Sequence, residues 1–445
     1  METPICDFVR DYAESGTLRL HMPGHKGVNA LGMEDMDITE IRGADSLYEA
    51  DGIIARSESN ASRVFGCRTL YSTEGSSQCI RAMLYLVRLW ALQKGRRPVI
   101  AAGRNAHKTF LTAAGLLDLG IQWLYPEKDC GYLSCDISAR ELEAYLEKTA
   151  EMPAAVYLTS PDYLGKVADI RRIADVCHRF GVLLAVDNAH GAYLKFLRPS
   201  WHPMDLGADI CCDSAHKTLP VLTGGAYLHL SDGLDEAVGA QAKNALMIFG
   251  STSPSYLILQ SLDWANPQLA DYPGKLEALI PKIDGLKARL AEAGYGLYGS
   301  EPLKLTIEAK SRGYTGEELA EHLREAGIEP EFADPDHLVL MFSTETDGET
   351  VEILERAFLA IPPKEPIRAA APALARAERA MSIRVAMLSP SEILPVGECL
   401  GRILAVPTVG CPPAVPILVC GERIDEHALN CFSYYGIETC SVVKE

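Results

Sequence analysis

Between residues 57 and 230, short apolar segments alternate with segments of helical periodicity. The apolar segments predict strands at 98–103, 154–159, 182–187, 208–213 and 224–230. Helices are predicted at 76–94, 138–148 and 170–180. Apolar strands separated by helices are typical of a mainly parallel sheet covered on both faces. The predicted fold class is therefore α/β.

The chain has 445 residues, and domains of about 100–200 residues imply two or three of them. We predict an N-terminal arm at 1–44, a large domain at 45–270, a smaller α+β domain at 271–365 and a tail domain at 366–445. The first of the two C-terminal boundaries follows a change of composition at 266–274, and the second follows a charged, Ala/Pro-rich segment at 362–379.

Charge and composition exclude several classes of protein. With 60 acidic and 42 basic side chains, the net charge is −18. Proteins that bind nucleic acid without sequence preference need a basic surface, so we predict no nucleic-acid partner.

The uncharged run 403–420 contains four prolines, so we predict buried strands and turns there and no membrane partner. The N-terminus has no signal-peptide pattern. The 13 cysteines include no CxxC pair, which favours reduced thiols in a cytoplasmic protein.

The sequence offers little support for a metal site. His21 and His25 have the spacing of two ligands on one helical face, but Pro23 and Gly24 between them are incompatible with a regular helix. We therefore predict no metal.

Polar clusters follow the predicted strands, where ligands of open parallel sheets bind. The clusters are Asp187-Asn188-Ala189-His190-Gly191, Ser214-Ala215-His216-Lys217-Thr218 and Arg104-Asn105-Ala106-His107-Lys108, and Ser72-Thr73-Glu74-Gly75-Ser76-Ser77 precedes the helix at 76–94. Taken singly, each cluster is explained by a turn, a cap or a solvated side chain. Their joint occurrence at one sheet edge indicates a ligand site.

The chemistry of these clusters fits pyridoxal 5′-phosphate (PLP). A Gly-Ser-Ser turn that opens a helix binds a phosphate. An aspartate at a strand end pairs with a pyridinium N–H, and a nearby lysine forms a Schiff base with an aldehyde. These three groups match the three functional groups of PLP.

At the level of motifs, the chain resembles the bacterial ornithine/lysine/arginine decarboxylases, which are fold-type-I (aspartate-aminotransferase-like) PLP enzymes. The resemblance lies in HMPGHKG, DITEIRGADSLYEADGII, the GSS turn, RNAHK, SPDYLG, DNAHGAY, DSAHKTLPVLTGGAYLHL and GRILAVPTVGCPPAVPILVCGE, in matching order. It covers nearly the whole chain and fits the shorter branch, which lacks an N-terminal regulatory-type domain.

The resemblance implies a role for each matching residue. Lys217 would hold PLP as a Schiff base, Asp187 would pair with the pyridine nitrogen, and His107 would stack on the ring. Lys217 or His216 would return a proton to the substrate after CO₂ leaves. The remaining predicted cofactor contacts are Gly75, Ser76, Ser77, Ser214 and His216 around the phosphate, and His190 near the cofactor.

The substrate implied is a basic amino acid, as in polyamine biosynthesis, and an acidic surface suits a cationic substrate by weak steering. Its side chain needs a carboxylate partner, for which Asp45, Glu49 and Asp162 are candidates. The motif at 160–163 and the CPPAVP segment at 411–416 depart from the family pattern, and the resemblance implies that both border the substrate pocket. The resemblance also implies a homodimer or a higher homo-oligomer.

Two alternative functions remain open from the sequence. Another fold-type-I reaction, an aminotransferase or a lyase, would use nearly the same cofactor residues. A PLP-binding protein without turnover is the second alternative. A serine hydrolase has little support, because the chain has no GxSxG motif.

Overall fold

The computed structural model describes residues 1–127, 131–406 and 415–445. They form two compact units. The first unit comprises Met1–Pro98, Ala154–Val156 and Cys177–Leu276, and the second comprises Val99–Pro153, Tyr157–Val176 and Glu277–Glu445. The division into an arm and three domains stays a prediction.

A seven-stranded sheet contains every strand predicted between 98 and 230. Its strands are β1 (Arg68–Ser72), β2 (Val99–Gly103), β3 (Gly120–Leu124), β4 (Ala155–Thr159), β5 (Leu183–Asp187), β6 (Ile210–Asp213) and β7 (Ala226–Leu230). The order is β1-β7-β6-β5-β4-β2-β3. The α/β prediction is confirmed, since β5 pairs parallel with β6 and β2 with β3, although β7 is antiparallel to both neighbours.

Burial explains why these segments become strands. All five residues of β2, of β5 and of β7 are buried, as expected where both faces of a sheet are covered. The helices through residue 268 are α1 (Pro4–Glu14), α2 (Ile53–Phe65), α3 (Gly75–Gln93), α4 (Lys108–Leu116), α5 (Ala139–Lys148), α6 (Ile170–Arg179), α7 (Ala215–Thr218), α8 (Glu236–Gly239), α9 (Ala242–Ile248) and α10 (Tyr256–Gln268). The three helices predicted in this part of the chain are confirmed as α3, α5 and α6.

A second, antiparallel sheet follows with the order β10-β11-β9-β8. Its strands are β8 (Gly296–Tyr298), β9 (Lys304–Glu308), β10 (Phe332–Ala333) and β11 (His337–Met341), accompanied by α11 (Tyr272–Glu292), α12 (Gly316–Glu325) and α13 (Gly348–Ala360). The tail contains α14 (Ile383–Leu388), β12 (Ser391–Pro395), α15 (Glu426–Tyr434) and β13 (Thr439–Val443), with β12 and β13 antiparallel. The predicted α+β character of the region after 271 is therefore confirmed.

The run 403–420 falls partly outside the described residues, including Pro407 and most of CPPAVP. In its described parts, Ile403 and Leu404 form isolated bridges, and residues 415–420 are buried without helix. No helix in the described parts of the chain is long and apolar enough to cross a membrane.

The HMPGHKG segment consists of bends and turns, so the irregular structure predicted for it is confirmed. The two histidines take different partners: Nε2 of His21 lies 2.5 Å from the Tyr12 hydroxyl, and Nε2 of His25 lies 3.2 Å from Oδ2 of Asp37. No disulfide joins the cysteines that the structure describes, and eight of those cysteines are buried.

Candidate active site

Lys217 lies in α7, the single helical turn that follows β6. Its Nζ atom is 2.9 Å from Nε2 of His190, in the loop after β5. His190 is buried, whereas Lys217 is partly exposed. The first unit therefore brings together two residues that the sequence placed in separate clusters.

Asp187 is the last residue of β5, and its side chain is buried. Its Oδ1 atom accepts a hydrogen bond from the backbone N–H of Ala189 at 3.2 Å, and the Cys212 thiol lies 3.7 Å away. Burial, reinforced by the charge of Asp187, raises the pKa of Cys212 well above its ordinary value. The thiol thus remains a neutral neighbour of the carboxylate.

The N-terminus of α3 carries the predicted phosphate contacts. Gly75 begins the helix at φ +71°, and its N–H donates to the carbonyl of Gly224 at 2.7 Å. The first turn contains no acidic residue, and no side-chain hydrogen bond caps it. Ser214 donates from Oγ to Oγ of Ser76 at 2.8 Å, and Ser77 is half-buried. This positive helix end and its two linked hydroxyls suit an anion.

His216 faces the backbone of Gly225, with Nδ1 3.0 Å from its carbonyl oxygen. A carbonyl only accepts hydrogen bonds, so Nδ1 carries a proton and Nε2 holds the lone pair when the ring is neutral. Burial, together with the charge of Lys217, lowers the pKa of His216. The neutral ring is therefore favoured at neutral pH.

His107 belongs to the second unit, where it is the N-cap of α4. Its Nδ1 atom accepts from the backbone N–H of Thr109 at 3.2 Å, and the ring is half-buried. An Nδ1 that accepts this bond leaves the proton on Nε2.

A buried hydrogen-bond network lies beside the predicted residues and is not among the sequence-based predictions. Oδ2 of Asp213 lies 3.0 Å from Nε2 of His202 and 3.1 Å from Nε2 of His229, and Oδ1 accepts from Nδ2 of Asn188 at 2.7 Å. These four side chains are fully buried. The available signal was the occurrence of charged or imidazole residues inside apolar strand segments, such as His229 in AYLHL.

Comparison with known proteins decides the family. A family model described as Orn/Lys/Arg decarboxylase, major domain, matches residues 3–294. The chain belongs to this family.

Relatives of known name extend the match over almost the whole chain. An arginine decarboxylase of Bacillus subtilis (strain 168) is 29% identical over 472 residues, covering 96% of this chain and 92% of the relative. An arginine decarboxylase of Halalkalibacterium halodurans is 29% identical over 467 residues, with 96% and 92% covered. The lysine decarboxylase LdcF of Francisella novicida has a similar fold, with a TM-score of 0.79, 17% identity and coverage of 99% of this chain and 81% of that one.

The Orn/Lys/Arg decarboxylases are PLP-dependent amino-acid decarboxylases, and the residues of the first unit fit that cofactor. A side-chain amine, a buried carboxylate at a strand end and a hydroxyl-lined helix N-terminus match its aldehyde, pyridine and phosphate groups. A Cβ at Gly75 would meet none of the described atoms within 4 Å. Space is therefore open beside the first turn of α3.

The three carboxylates considered for the substrate side chain have different surroundings. Asp45 accepts hydrogen bonds from backbone N–H groups of its own loop and of the start of α2, among them those of Gly52 and Ile54 at 2.9 Å each. That carboxylate therefore has a structural role. Asp162 is buried in the second unit and accepts from the backbone N–H of Lys166 at 2.8 Å, and burial raises its pKa. Glu49 is exposed.

The Arg104 side chain, from another predicted cluster, is almost completely buried within the second unit. Its guanidinium donates to the carbonyls of Pro416 and Ile417 at 2.9 Å each and to Oε2 of Glu422 at 3.2 Å. Arg104 therefore fixes the tail segment that follows the undescribed residues 407–414.

Proposed function

We propose that this decarboxylase converts a basic L-amino acid, preferentially arginine, into its amine and CO₂. The near full-length similarity to two arginine decarboxylases supports this substrate. The observation that carries the proposal is the contact of Lys217 with His190, in the same unit as Asp187 and the α3 N-terminus.

The proposed binding roles follow the chemistry of each group. Lys217 would hold the cofactor covalently, and the buried negative charge of Asp187 would keep a proton on the pyridine nitrogen. When bound, PLP supplies an electron sink for the pair left by the departing CO₂. Gly75, Ser76, Ser77, Ser214 and His216 would hold the phosphate, and the family resemblance assigns His107 to the face of the ring and His190 to the cofactor region.

Return of a proton to the substrate Cα is assigned to Lys217 rather than His216. The lowered pKa of His216 leaves it neutral, and the proton on Nδ1 faces Gly225. Lys217 carries several N–H donors on a flexible stem and already lies beside a second titratable group, His190. We therefore propose that Lys217 moves the proton and His190 orients its amine.

We further propose that the enzyme works as a homodimer in the cytoplasm and supplies an amine for polyamine synthesis. The thiol state of the described cysteines is compatible with a reducing compartment. Light scattering coupled to gel filtration tests the assembly, and a monomeric mass for the active enzyme would contradict it.

The function is tested by incubating the purified protein and PLP with L-arginine, L-lysine and L-ornithine separately. Released CO₂, amine and 2-oxo acid are quantified in each reaction, with Lys217→Ala as the matched control. We expect CO₂ and amine in equal amounts, fastest from arginine. Formation of a 2-oxo acid instead would identify an aminotransferase, and PLP binding without any product would identify a non-catalytic binding protein.

A further inference from the structure

The Asp213 carboxylate occupies a fully buried position at the end of β6. It meets two imidazoles and one amide, with all three contacts between 2.7 and 3.1 Å. A carboxylate withdrawn from water is strongly destabilising unless hydrogen bonds satisfy it. The two imidazoles and the amide therefore supply the hydrogen bonds that this buried carboxylate requires.

Hydrogen-bond direction can be assigned for one imidazole. Nδ1 of His202 accepts from the backbone N–H of Met204 at 3.4 Å, so Nε2 of His202 carries the proton and donates to Asp213. On the other imidazole, Nδ1 of His229 lies 2.9 Å from the Thr69 hydroxyl. Burial lowers the pKa of His229, but the neighbouring Asp213 carboxylate raises it more, so its pKa is raised overall.

The network joins the chain segment that ends at Asp187 to the segment that carries Lys217. Asn188 directly follows Asp187, and its backbone N–H also donates to the carbonyl of Cys212 at 3.0 Å. Asp213 directly precedes Ser214, the N-cap of the turn that carries Lys217. The Asn188–Asp213 hydrogen bond therefore ties the loop after β5 to the turn after β6.

We propose that Asp213 is a positioning residue that sets the place of Asp187 relative to Lys217. The inference rests on the proposed cofactor roles of those two residues. Asp213 itself acts through Asn188 on one side and through the backbone at Ser214 on the other. His202 and His229 hold the carboxylate in place from the opposite side.

The surroundings of Asp213 also suggest a metal site, because ligand atoms of His202, Cys211 and Asp213 lie within 4.8 Å of one another. The proton on Nε2 of His202 argues against this alternative, since a metal ligand needs that lone pair. Stoichiometric zinc in the purified protein, lost in Asp213→Asn, would overturn the proposal.

The experiment compares Asp213→Asn with Asp209→Asn. Asp209 is a matched control because it lies just before β6, at the opposite end from Asp213. It accepts from the backbone N–H of Leu184 at 2.7 Å and lies 3.1 Å from Nε2 of His178. In Asp213→Asn, the new amide N–H₂ faces two imidazole nitrogens, so at least one hydrogen bond is lost. Apo-protein Tm, PLP affinity, the visible spectrum and kcat and KM are measured for each.

We expect both variants to lower the apo-protein Tm. Only Asp213→Asn should weaken PLP binding and lower kcat, each by about tenfold or more, with a smaller change in KM, because small displacements of reacting groups are costly. Its visible band should also shift. If both variants match the wild type in PLP affinity and spectrum, the proposal fails. If the wild type itself binds no PLP, that result contradicts the proposed function rather than the role of Asp213 alone.

A second variant covers the case in which Asp213→Asn does not fold. Asn188→Ala removes the amide donor and leaves the two histidine contacts of Asp213 in place. We expect the same direction of change in PLP affinity and kcat. Normal values for Asn188→Ala would show that this link does not position the site and would overturn the proposal.

Discussion

The amine of Lys217 lies 2.9 Å from Nε2 of His190, and the two residues come from turns that follow neighbouring parallel strands. An amine and an imidazole at this distance share a hydrogen bond, which restricts the rotamers of the lysine. Lys217 is therefore oriented before any substrate binds. This preorganisation reduces the entropy lost when the reacting groups are brought together.

Removing the Lys217 amine tests the covalent link to the cofactor. Lys217→Ala should abolish the visible absorbance band of the PLP-loaded protein and lower decarboxylation by about 10³-fold or more, as losses of a covalent catalytic group do. Lys94→Ala is the control, because Lys94 is an exposed lysine of the same unit paired with Asp235. A normal spectrum for Lys217→Ala would reject the assignment.

Asp187→Asn tests the role of charge at the strand end. The amide keeps the size of the side chain and an oxygen for the Ala189 N–H, but it removes the negative charge. We expect the variant to retain PLP and to lose about 10²-fold or more in kcat, a magnitude typical of lost electrostatic stabilisation. Unchanged turnover, measured by CO₂ release, would contradict the proposed pairing with the pyridine nitrogen.

The hydroxyl pair at the α3 N-terminus predicts a measurable contribution to phosphate binding. Ser76→Ala and Ser214→Ala should each weaken PLP affinity by about tenfold, since a hydrogen bond to a charged group contributes about 1.5–3 kcal/mol. The affinity for PLP is measured by fluorescence titration. Inorganic phosphate should also compete with PLP less effectively in these two variants than in the wild type. Ser261→Ala is the control, as its hydroxyl accepts from the Leu222 N–H. Equal affinities in all three variants would count against the assignment.

Much of the large sheet is predictable from the sequence because its central strands are buried on both faces. The two edge strands, β1 and β3, are not among the strands predicted from the sequence. In β3, three of five residues are partly exposed, and the sequence GIQWL is not a uniform apolar run. The sequence pattern also does not predict that β7 runs antiparallel to its neighbours. Parallel and antiparallel strands share the same side-chain alternation, and only the connection in three dimensions sets the direction.

Some residues of the candidate site are likewise predictable from the sequence, and others are not. Asp187 and Lys217 are predictable because Asp187 ends an apolar strand and Lys217 comes shortly after another, and polar side chains are conspicuous at such positions. The Asp213 network is not, because His202 comes from a loop and His229 from an antiparallel strand. Their convergence on one carboxylate depends on the order of β5, β6 and β7 rather than on any local spacing.

Asp213 also predicts a dependence of stability on pH. Burial raises its pKa, but the neighbouring imidazoles of His202 and His229 and their hydrogen bonds to the carboxylate lower it more, so the pKa lies well below the usual range. The folded state therefore binds fewer protons than the unfolded state in acid. The resulting stability is complete above the ordinary aspartate pKa of about 3.9 and is lost as the pH falls below it.

This dependence is measured as the difference in Tm between neutral pH and about pH 3.5, below the ordinary aspartate pKa. The wild type should lose more Tm on acidification than Asp213→Asn, because the variant has no carboxylate to protonate at that position. Asp209→Asn controls for the loss of a carboxylate elsewhere in the unit. Equal losses of Tm in the wild type and in Asp213→Asn would show that Asp213 contributes nothing to the loss of stability at low pH.

The buried pair of Arg104 and Glu422 predicts one position at which the second unit is sensitive to substitution. Arg104→Met removes the donor to the carbonyls of Pro416 and Ile417 and leaves the buried Glu422 carboxylate without its cationic partner, with the backbone N–H of Val419 still donating to Oε2 at 2.8 Å. Breaking a buried pair from one side costs about 3–5 kcal/mol. We expect a lower midpoint in urea and faster proteolysis near residue 416. Arg172→Met removes an exposed arginine of the same unit that pairs locally with Asp169 and should change neither measurement. If both variants behave alike, Arg104 does not anchor the tail.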